Sequence, residues 1–119
     1  MERVQEGLAD ALSNVVIRRT TTHLGDRFYR EFSSLWSAHG VYDIRGVLTI
    51  EEQPAFNQGT LIRVVYERQV MFSAHVRPHK PSPEKVAEAA ISPVTDRVAQ
   101  RVAQRFMGGY DPDLAGEEL

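Results

Sequence analysis

Apolar side chains recur with the period of a helix in the first third of the chain. Successive apolar positions are four, four, three and one residues apart, in the set Leu24, Phe28, Phe32, Leu35 and Trp36. One face of an α-helix carries such a set. Asp26, which follows Gly25, can accept hydrogen bonds from the free N–H groups of a first helical turn, and Gly40 provides a stop. The pattern predicts a short, one-sided helix over residues 24–39.

Beyond Gly40 the apolar period changes to two, which is typical of strands. A first alternating run covers residues 47–54 and ends at Pro54, which cannot donate to a sheet ladder. Two more runs follow: 61–66 is rich in β-branched residues, and 70–77 alternates so that Val70, Phe72, Ala74 and Val76 lie on one apolar face. The connection at residues 67–69 is short enough for a hairpin. These runs predict a three-stranded antiparallel meander.

A second helix is predicted after the proline-rich segment 78–83. Ser82, Pro83 and Glu84 have the order of an N-cap, a first-turn proline and a first-turn acid. Gly108-Gly109 would close the helix. Pro93 lies inside it and predicts a kink or break near Ile91-Ser92, with Ser92 capping a new segment. The apolar stripe repeats every four residues through Val86, Ala90, Val94, Val98, Val102 and Phe106.

These elements predict an α+β domain of order α-β-β-β-α, in which two helices pack on one face of an antiparallel sheet. The domain spans residues 23–109, between a mobile N-terminal arm at 1–22 and a flexible acidic tail at 110–119. Within the arm, residues 15–20 allow a fourth, edge strand. The same arm also allows a short helix through Leu8, Leu12, Val15 and Val16.

Length and composition narrow the function classes. The chain has 119 residues, no cysteine and a formal net charge of −2. A chain of this length can bury roughly two-thirds of its unfolded surface, so it needs neither a disulfide nor a metal to fold. The longest aliphatic run near the N-terminus is Val15-Val16-Ile17, far short of the roughly 20 apolar residues of a membrane span. We expect a soluble protein; if the natural protein is exported, its signal peptide has been removed.

No catalytic or metal-binding pattern emerges from the residues. The histidines are His23, His39, His75 and His79, and Pro78 prevents the last two from sharing a helix face. Glu51 and Glu52 are adjacent on a strand, so they point to opposite faces and do not form a paired acid and base. We therefore predict no enzyme, no metal and no cofactor.

The element order α-β-β-β-α also occurs in double-stranded-RNA-binding domains. A small nucleic-acid-binding domain is therefore the alternative interpretation. Such domains place several lysine or arginine side chains at the start of the last helix. Here Glu84 and Glu88 flank Lys85, and the net charge is negative, which weighs against this alternative. Trp36 stands in a polar setting at the end of its helix, where it is either a contact anchor or a core side chain.

Two long motifs carry a family resemblance. Residues 28–36 read Phe-Tyr-Arg-Glu-Phe-Ser-Ser-Leu-Trp, and residues 46–54 read Gly-Val-Leu-Thr-Ile-Glu-Glu-Gln-Pro. The likeness continues through Gly59, residues 70–72, 78–80 and 84–85, and the C-terminal 113–119. From Thr20 to the C-terminus the chain resembles the curli production assembly/transport component CsgE family.

The resemblance implies a periplasmic accessory factor, or chaperone, of functional-amyloid secretion that is not an enzyme. It implies a homo-oligomeric ring, nonameric in the family, that caps the outer-membrane curli secretion pore CsgG. It also implies binding of the unfolded curli subunit CsgA, with restraint of premature amyloid formation. The family's self-association aromatics fall on Trp36 and Phe72, and we expect Trp36→Ala to weaken self-association while leaving the fold intact.

Candidate contacts with substrate or pore are Tyr29, Arg30, Arg63, Arg68 and Arg77, on the predicted helix and strand surfaces. The acidic tail offers a second candidate, for basic groups on the pore or the substrate. Two departures from the family pattern affect the ring contacts. Residues 56–60 lack the tryptophans that the family often carries there, and Pro93 interrupts a helix that is continuous in relatives.

Overall fold

Six elements follow one another in the order β-α-β-β-β-α in a computed structural model that describes residues 15–39, 46–55 and 59–107. The predicted α+β fold, both helices and the three-stranded meander are confirmed. The acidic tail, the closing glycines at 108–109 and residues 1–14 of the predicted arm lie outside the described residues. The elements are β1 (Val16–Arg19), α1 (His23–His39), β2 (Leu48–Ala55), β3 (Gly59–Tyr66), β4 (Gln69–Val76) and α2 (Pro83–Met107).

The four strands form one open sheet in the order β1-β2-β3-β4. Strands β2, β3 and β4 pair antiparallel, as predicted. The fourth strand that residues 15–20 allowed is present as β1, but it pairs parallel with β2, from Val16 opposite Leu48 to Arg19 opposite Glu51. The prediction of a purely antiparallel sheet is therefore wrong. Helix α1 lies between β1 and β2 in the chain, and a connection of that kind brings the chain back in the same direction.

One face of the sheet lies under the two helices and forms the core. In β3 the alternation is complete, since every second residue from Thr60 to Tyr66 is buried and those between are partly exposed. The opposite face of the sheet is not covered by either helix, and its residues remain partly or fully exposed. The fully buried large side chains include Trp36, Tyr66, Phe28, Phe32, Leu48, Ile50, Ile62, Val64, Val76, Val94 and Val98.

A β-bulge interrupts the pairing of β3 with β4. Val64 lies opposite Phe72 and Val65 lies opposite Val70, so Met71 is an extra residue. Arg97 in α2 donates from Nη1 to the Met71 carbonyl oxygen at 2.6 Å. The prediction that Val70 and Phe72 share one face is therefore wrong, because the bulge shifts the alternation by one residue. Val70 points to the uncovered face and is 49% exposed.

Helix α2 runs without interruption through Pro93, so the predicted break is wrong. Val86 and Ala90 before the proline and Val94 and Val98 after it are all buried in the same core. This packing on both sides holds the helix together despite the backbone hydrogen bond that a proline removes. The stripe leaves the core at its end, where Phe106 is 84% exposed.

The β3–β4 hairpin turns through Glu67 and Arg68, whose φ angles are 50° and 67°. Positive φ at both central residues is the signature of a type I′ turn, which normally uses asparagine and glycine. Arg101 and Arg105 of α2 form ion pairs with Glu67 and tie the turn to the helix. Tertiary contacts thus stabilise a turn that its own residues disfavour.

We predict that Arg68→Gly stabilises the protein by about 0.5–1 kcal/mol, because glycine adopts positive φ without the steric penalty of a side chain. Urea unfolding would measure the gain. The matched control is Gln69→Gly at the next position, where no positive φ occurs and glycine should destabilise the strand. An unchanged or lower stability of Arg68→Gly would contradict the turn assignment.

Candidate interaction surfaces

Four aromatic rings form a continuous stack between α1 and β4. Phe28 and Phe32 stack with ring centroids 5.8 Å apart, and Phe32 and Trp36 are also 5.8 Å apart. Phe72 of β4 stacks on Phe28 at 6.5 Å. The spacing of four residues along α1 produces this ladder, because residues i and i+4 lie on the same helix face.

The residues predicted for self-association, Trp36 and Phe72, lie at the two ends of this stack. Trp36 is 1% exposed and belongs to the core, whereas Phe72 is partly buried. Of the two alternatives for Trp36, the structure favours the core side chain. As folded, its ring offers almost no surface to a second chain, so an effect of Trp36 on self-association would act through the packing of the stack. The self-association role of both residues stays a prediction.

We predict that Trp36→Ala lowers the free energy of unfolding by about 3–5 kcal/mol, the usual effect of truncating a buried large aromatic side chain. This replaces the expectation of an intact fold. Phe72→Ala should cost less, because Phe72 is partly exposed. Urea unfolding with light scattering on the same samples would separate lost stability from lost assembly. Full stability in Trp36→Ala would contradict the core assignment.

The candidate contacts on α1 lie beside the β1 edge of the sheet. Tyr29 donates from its hydroxyl to the Val16 carbonyl oxygen at 3.3 Å. Arg30 is exposed and pairs with Asp26 one turn earlier, with Nε and Oδ2 3.0 Å apart. Tyr29 therefore helps to hold β1 in place, while the outer part of Arg30 remains available to a partner.

The other three candidates are spread over the sheet. Arg63 lies on the uncovered face, where it donates to the side chain of Gln53 at 2.9 Å. Arg68 is in the hairpin turn, and Arg77 is exposed directly after β4, at the other end of that strand. The five candidates therefore do not form one site, and their role as contacts stays a prediction.

The carboxylate of Glu52 forms a partly buried junction that the sequence did not predict. It accepts hydrogen bonds from the backbone N–H of Thr21 at 2.6 Å and of Thr22 at 3.0 Å. The hydroxyls of Thr22 and Thr60 also donate to it, the latter at 2.7 Å. Burial acts to raise the pKa of Glu52, but these hydrogen bonds outweigh burial and hold the pKa below its ordinary value. The carboxylate thus joins the β1–α1 connection to β2 and β3.

This junction also sets the start of α1. Thr22 is the N-cap, because its Oγ1 accepts from the Gly25 N–H at 3.1 Å. Asp26, which we predicted as the cap, instead pairs with Arg18 at 2.8 Å and with Arg30. A Cβ on Gly25 would clash with Oε1 of Glu52, so only glycine lets the carboxylate approach the helix. A signal for Glu52 existed in the sequence, since it continues the inward-facing row of Leu48 and Ile50.

The starts of the two helices are joined by a bidentate ion pair. Arg27 donates to the Glu84 carboxylate from Nε at 2.9 Å and from Nη2 at 2.6 Å. The hydrogen bond with Arg27 lowers the pKa of Glu84. Ser82 caps α2 as predicted, since its Oγ accepts from the Lys85 N–H at 3.2 Å.

We predict that Glu52→Gln destabilises the protein by about 1–3 kcal/mol at pH 7, because it replaces a charged acceptor of several hydrogen bonds. The pKa of Glu52 is lower in the folded state than in the unfolded chain, so the carboxylate stabilises the fold above its ordinary pKa of 4.5. This contribution is lost as the pH falls through the folded pKa. The stability difference between wild type and variant should therefore shrink below about pH 4.5.

The matched control for this experiment is Glu51→Gln. Glu51 lies on the uncovered face, and no described residue bonds to its carboxylate. Its replacement should change stability little at either pH. Equal effects of the two substitutions in a urea titration at pH 7 would contradict the role given to Glu52.

In the described parts of the chain, no group of histidine, aspartate and glutamate side chains is arranged to hold a metal ion. No helix in these parts is long and apolar enough to cross a membrane. The described residues present an uncovered sheet face and a groove between the helices.

Comparison with known proteins identifies the family. The family model of the curli assembly protein CsgE matches residues 12–118. The chain belongs to the CsgE family. The curli production assembly/transport component CsgE of Salmonella typhi is 29% identical over 100 residues, which cover 84% of this chain and 72% of the relative. That of Escherichia coli O6:H1 is 30% identical over 84% of this chain and 74% of the relative. The resemblance to the CsgE family is confirmed.

Proposed function

We propose that the protein is a non-catalytic, periplasmic accessory factor of curli secretion. In this role it caps the secretion pore CsgG, binds the unfolded subunit CsgA and restrains premature amyloid formation. The observation that carries the proposal is the match to the CsgE family over residues 12–118, whose relatives bear the name of a curli production assembly/transport component.

The uncovered sheet face supports the binding of an unfolded polypeptide. An unfolded chain has no fixed shape, so it is held by a broad, shallow surface with mixed apolar and charged side chains rather than by a deep pocket. Strands β2 and β3 present such a surface, where Glu51, Arg63 and Val65 lie partly exposed. Of the five candidate contacts, Arg63 is the one centred on this face.

The proposed cap is a homo-oligomeric ring, nonameric as the family resemblance implies. Its assembly requires each copy to keep a defined shape, and the stack from Phe72 to Trp36 holds α1 on the sheet. In this proposal Trp36 and Phe72 support self-association by fixing the positions of α1 and β4. Substrate contacts by Tyr29, Arg30, Arg68 and Arg77 complete the proposal around the rim of the sheet.

We predict that the purified protein lengthens the lag before CsgA forms fibres, at less than one chain per CsgA. Arg63→Glu should shorten this lag toward that of CsgA alone, because it reverses the central charge of the uncovered face. Thioflavin T fluorescence measures the lag. Lys85→Glu, which changes an exposed base at the start of α2, is the matched control and should behave as wild type. A wild-type protein that leaves the lag unchanged would refute the proposed binding of CsgA.

A further inference from the structure

We propose that copies of this protein associate head to tail, with the uncovered sheet face of one copy seated on the groove between the two helices of the next. The inference rests on the proposed function, which includes a homo-oligomer, and it names the two surfaces that meet. Because the sheet face also carries Arg63 and Val65 of the proposed CsgA contact, a second copy and CsgA compete for that face. They lie on opposite layers of the fold, one outside the sheet and one outside the helices.

The first surface is an apolar sheet patch made of Ile17, Val47, Val65 and Val70. The register places Ile17 opposite Thr49, Thr49 opposite Val65, and Val65 opposite Val70, so a single row crosses all four strands. Val70 is 49% exposed, Ile17 41% and Val47 38%. β-branched apolar side chains gathered at one end of an uncovered sheet mark a contact surface.

The second surface is a helix groove between α1 and α2, with a volume of about 500 Å³. Leu35 of α1 and Ile91, Ser92 and Thr95 of α2 line it. Two carboxylates, Glu88 and Asp96, stand at its rim, and neither forms an ion pair with a described side chain. The groove is therefore an apolar trough between uncompensated negative charges.

The charges beside the two surfaces are complementary. Next to the apolar sheet patch, Arg19 of β1 and Arg63 of β3 lie in one row with Glu51 between them. Two strand spacings separate the arginines by about 10 Å. Along α2, Glu88 and Asp96 are eight residues apart, which corresponds to about 12 Å. The matching spans allow each arginine to face one carboxylate while the patch covers the groove.

A second copy is the occupant that this arrangement favours, because each surface finds its complement in the same chain. The two surfaces differ and point away from each other, so the contact repeats from copy to copy rather than closing as a two-fold dimer. Head-to-tail contacts of this kind build rings or filaments. They leave the buried Trp36 inside each copy, which agrees with its exposure of 1%.

Two blocking variants test the two surfaces separately. Val70→Asp places a negative charge on the patch, which the acidic groove repels, and Ser92→Arg fills the groove with a positive charge. Each variant alone should fall from the wild-type particle mass to that of a monomer in native mass spectrometry. An equimolar mixture should form 1:1 pairs, because the first variant keeps its groove and the second keeps its patch. Gln69→Asp and Ala89→Arg, at exposed neighbouring positions outside both surfaces, should keep the wild-type mass.

A disulfide test does not depend on blocking, since the chain has no cysteine of its own. On oxidation, a mixture of Val70→Cys and Ser92→Cys should give covalent dimers, and the double variant should give a ladder of higher oligomers. Either single variant alone should stay uncrosslinked. Any of three results would overturn the inference. These are blocking variants that keep the wild-type mass, a mixture of them that forms no pairs, or a double cysteine variant that gives no ladder.

The fibre-lag measurement separates this inference from the proposed function. A protein that lengthens the CsgA lag but gives no ladder retains its proposed binding role and loses the head-to-tail contact. A protein that gives the ladder but leaves the lag unchanged retains the contact and loses the proposed role. A wild-type protein that is monomeric at high concentration would refute the contact, and the lag would still report on CsgA binding.

Discussion

The position of α1 on the sheet depends on one line of stacked aromatic rings. Phe28 and Phe32 are fully buried, and the stack they form reaches Trp36 at one end and Phe72 of β4 at the other. Large aromatic side chains bury much apolar surface in few rotamers, so they fix a helix more firmly than the same area of small side chains. Helix α2 is built differently, from valines and alanines that let it lie close to both α1 and β4. Both helices cover the same sheet face, which leaves the other face free.

The elements with a clear period could be predicted from the sequence, and the exceptions are local. The spacing of Phe28, Phe32 and Trp36 specifies a helix, and the alternation in β3 specifies a half-buried strand. The parallel pairing of β1 was not predictable, because four residues carry no sign of direction and the partner is decided by the packing of α1. The bulge at Met71 was missed because alternation continues through it in the sequence. The predicted break at Pro93 was wrong for a related reason. The burial of α2 on both sides of the proline outweighs the local cost of the backbone hydrogen bond that proline removes.

The interaction surfaces were harder to predict than the fold. Glu52 looks in sequence like an ordinary strand carboxylate, and only the positions of Thr21, Thr22 and Thr60 turn it into a junction. The sequence left Trp36 open between a contact anchor and a core side chain, because several of its sequence neighbours are serines. Ser34 and Ser37 lie on other sides of the helix, however, and the ring itself is buried in the core. Sequence neighbours describe the setting of a helical side chain poorly when the helix is strongly one-sided.

The contact between Arg97 and the carbonyl of Met71 has a consequence for a protein proposed to work beside fibre-forming chains. Strand β4 is an edge strand, and an edge with free backbone groups invites further strands to add to it. The bulge distorts this edge, and the Arg97 guanidinium occupies one of its acceptors at 2.6 Å. A growing cross-β ladder would meet a local mismatch in register and an acceptor already in use. The fold thus carries its own protection against recruitment as a template by the cargo it is proposed to handle.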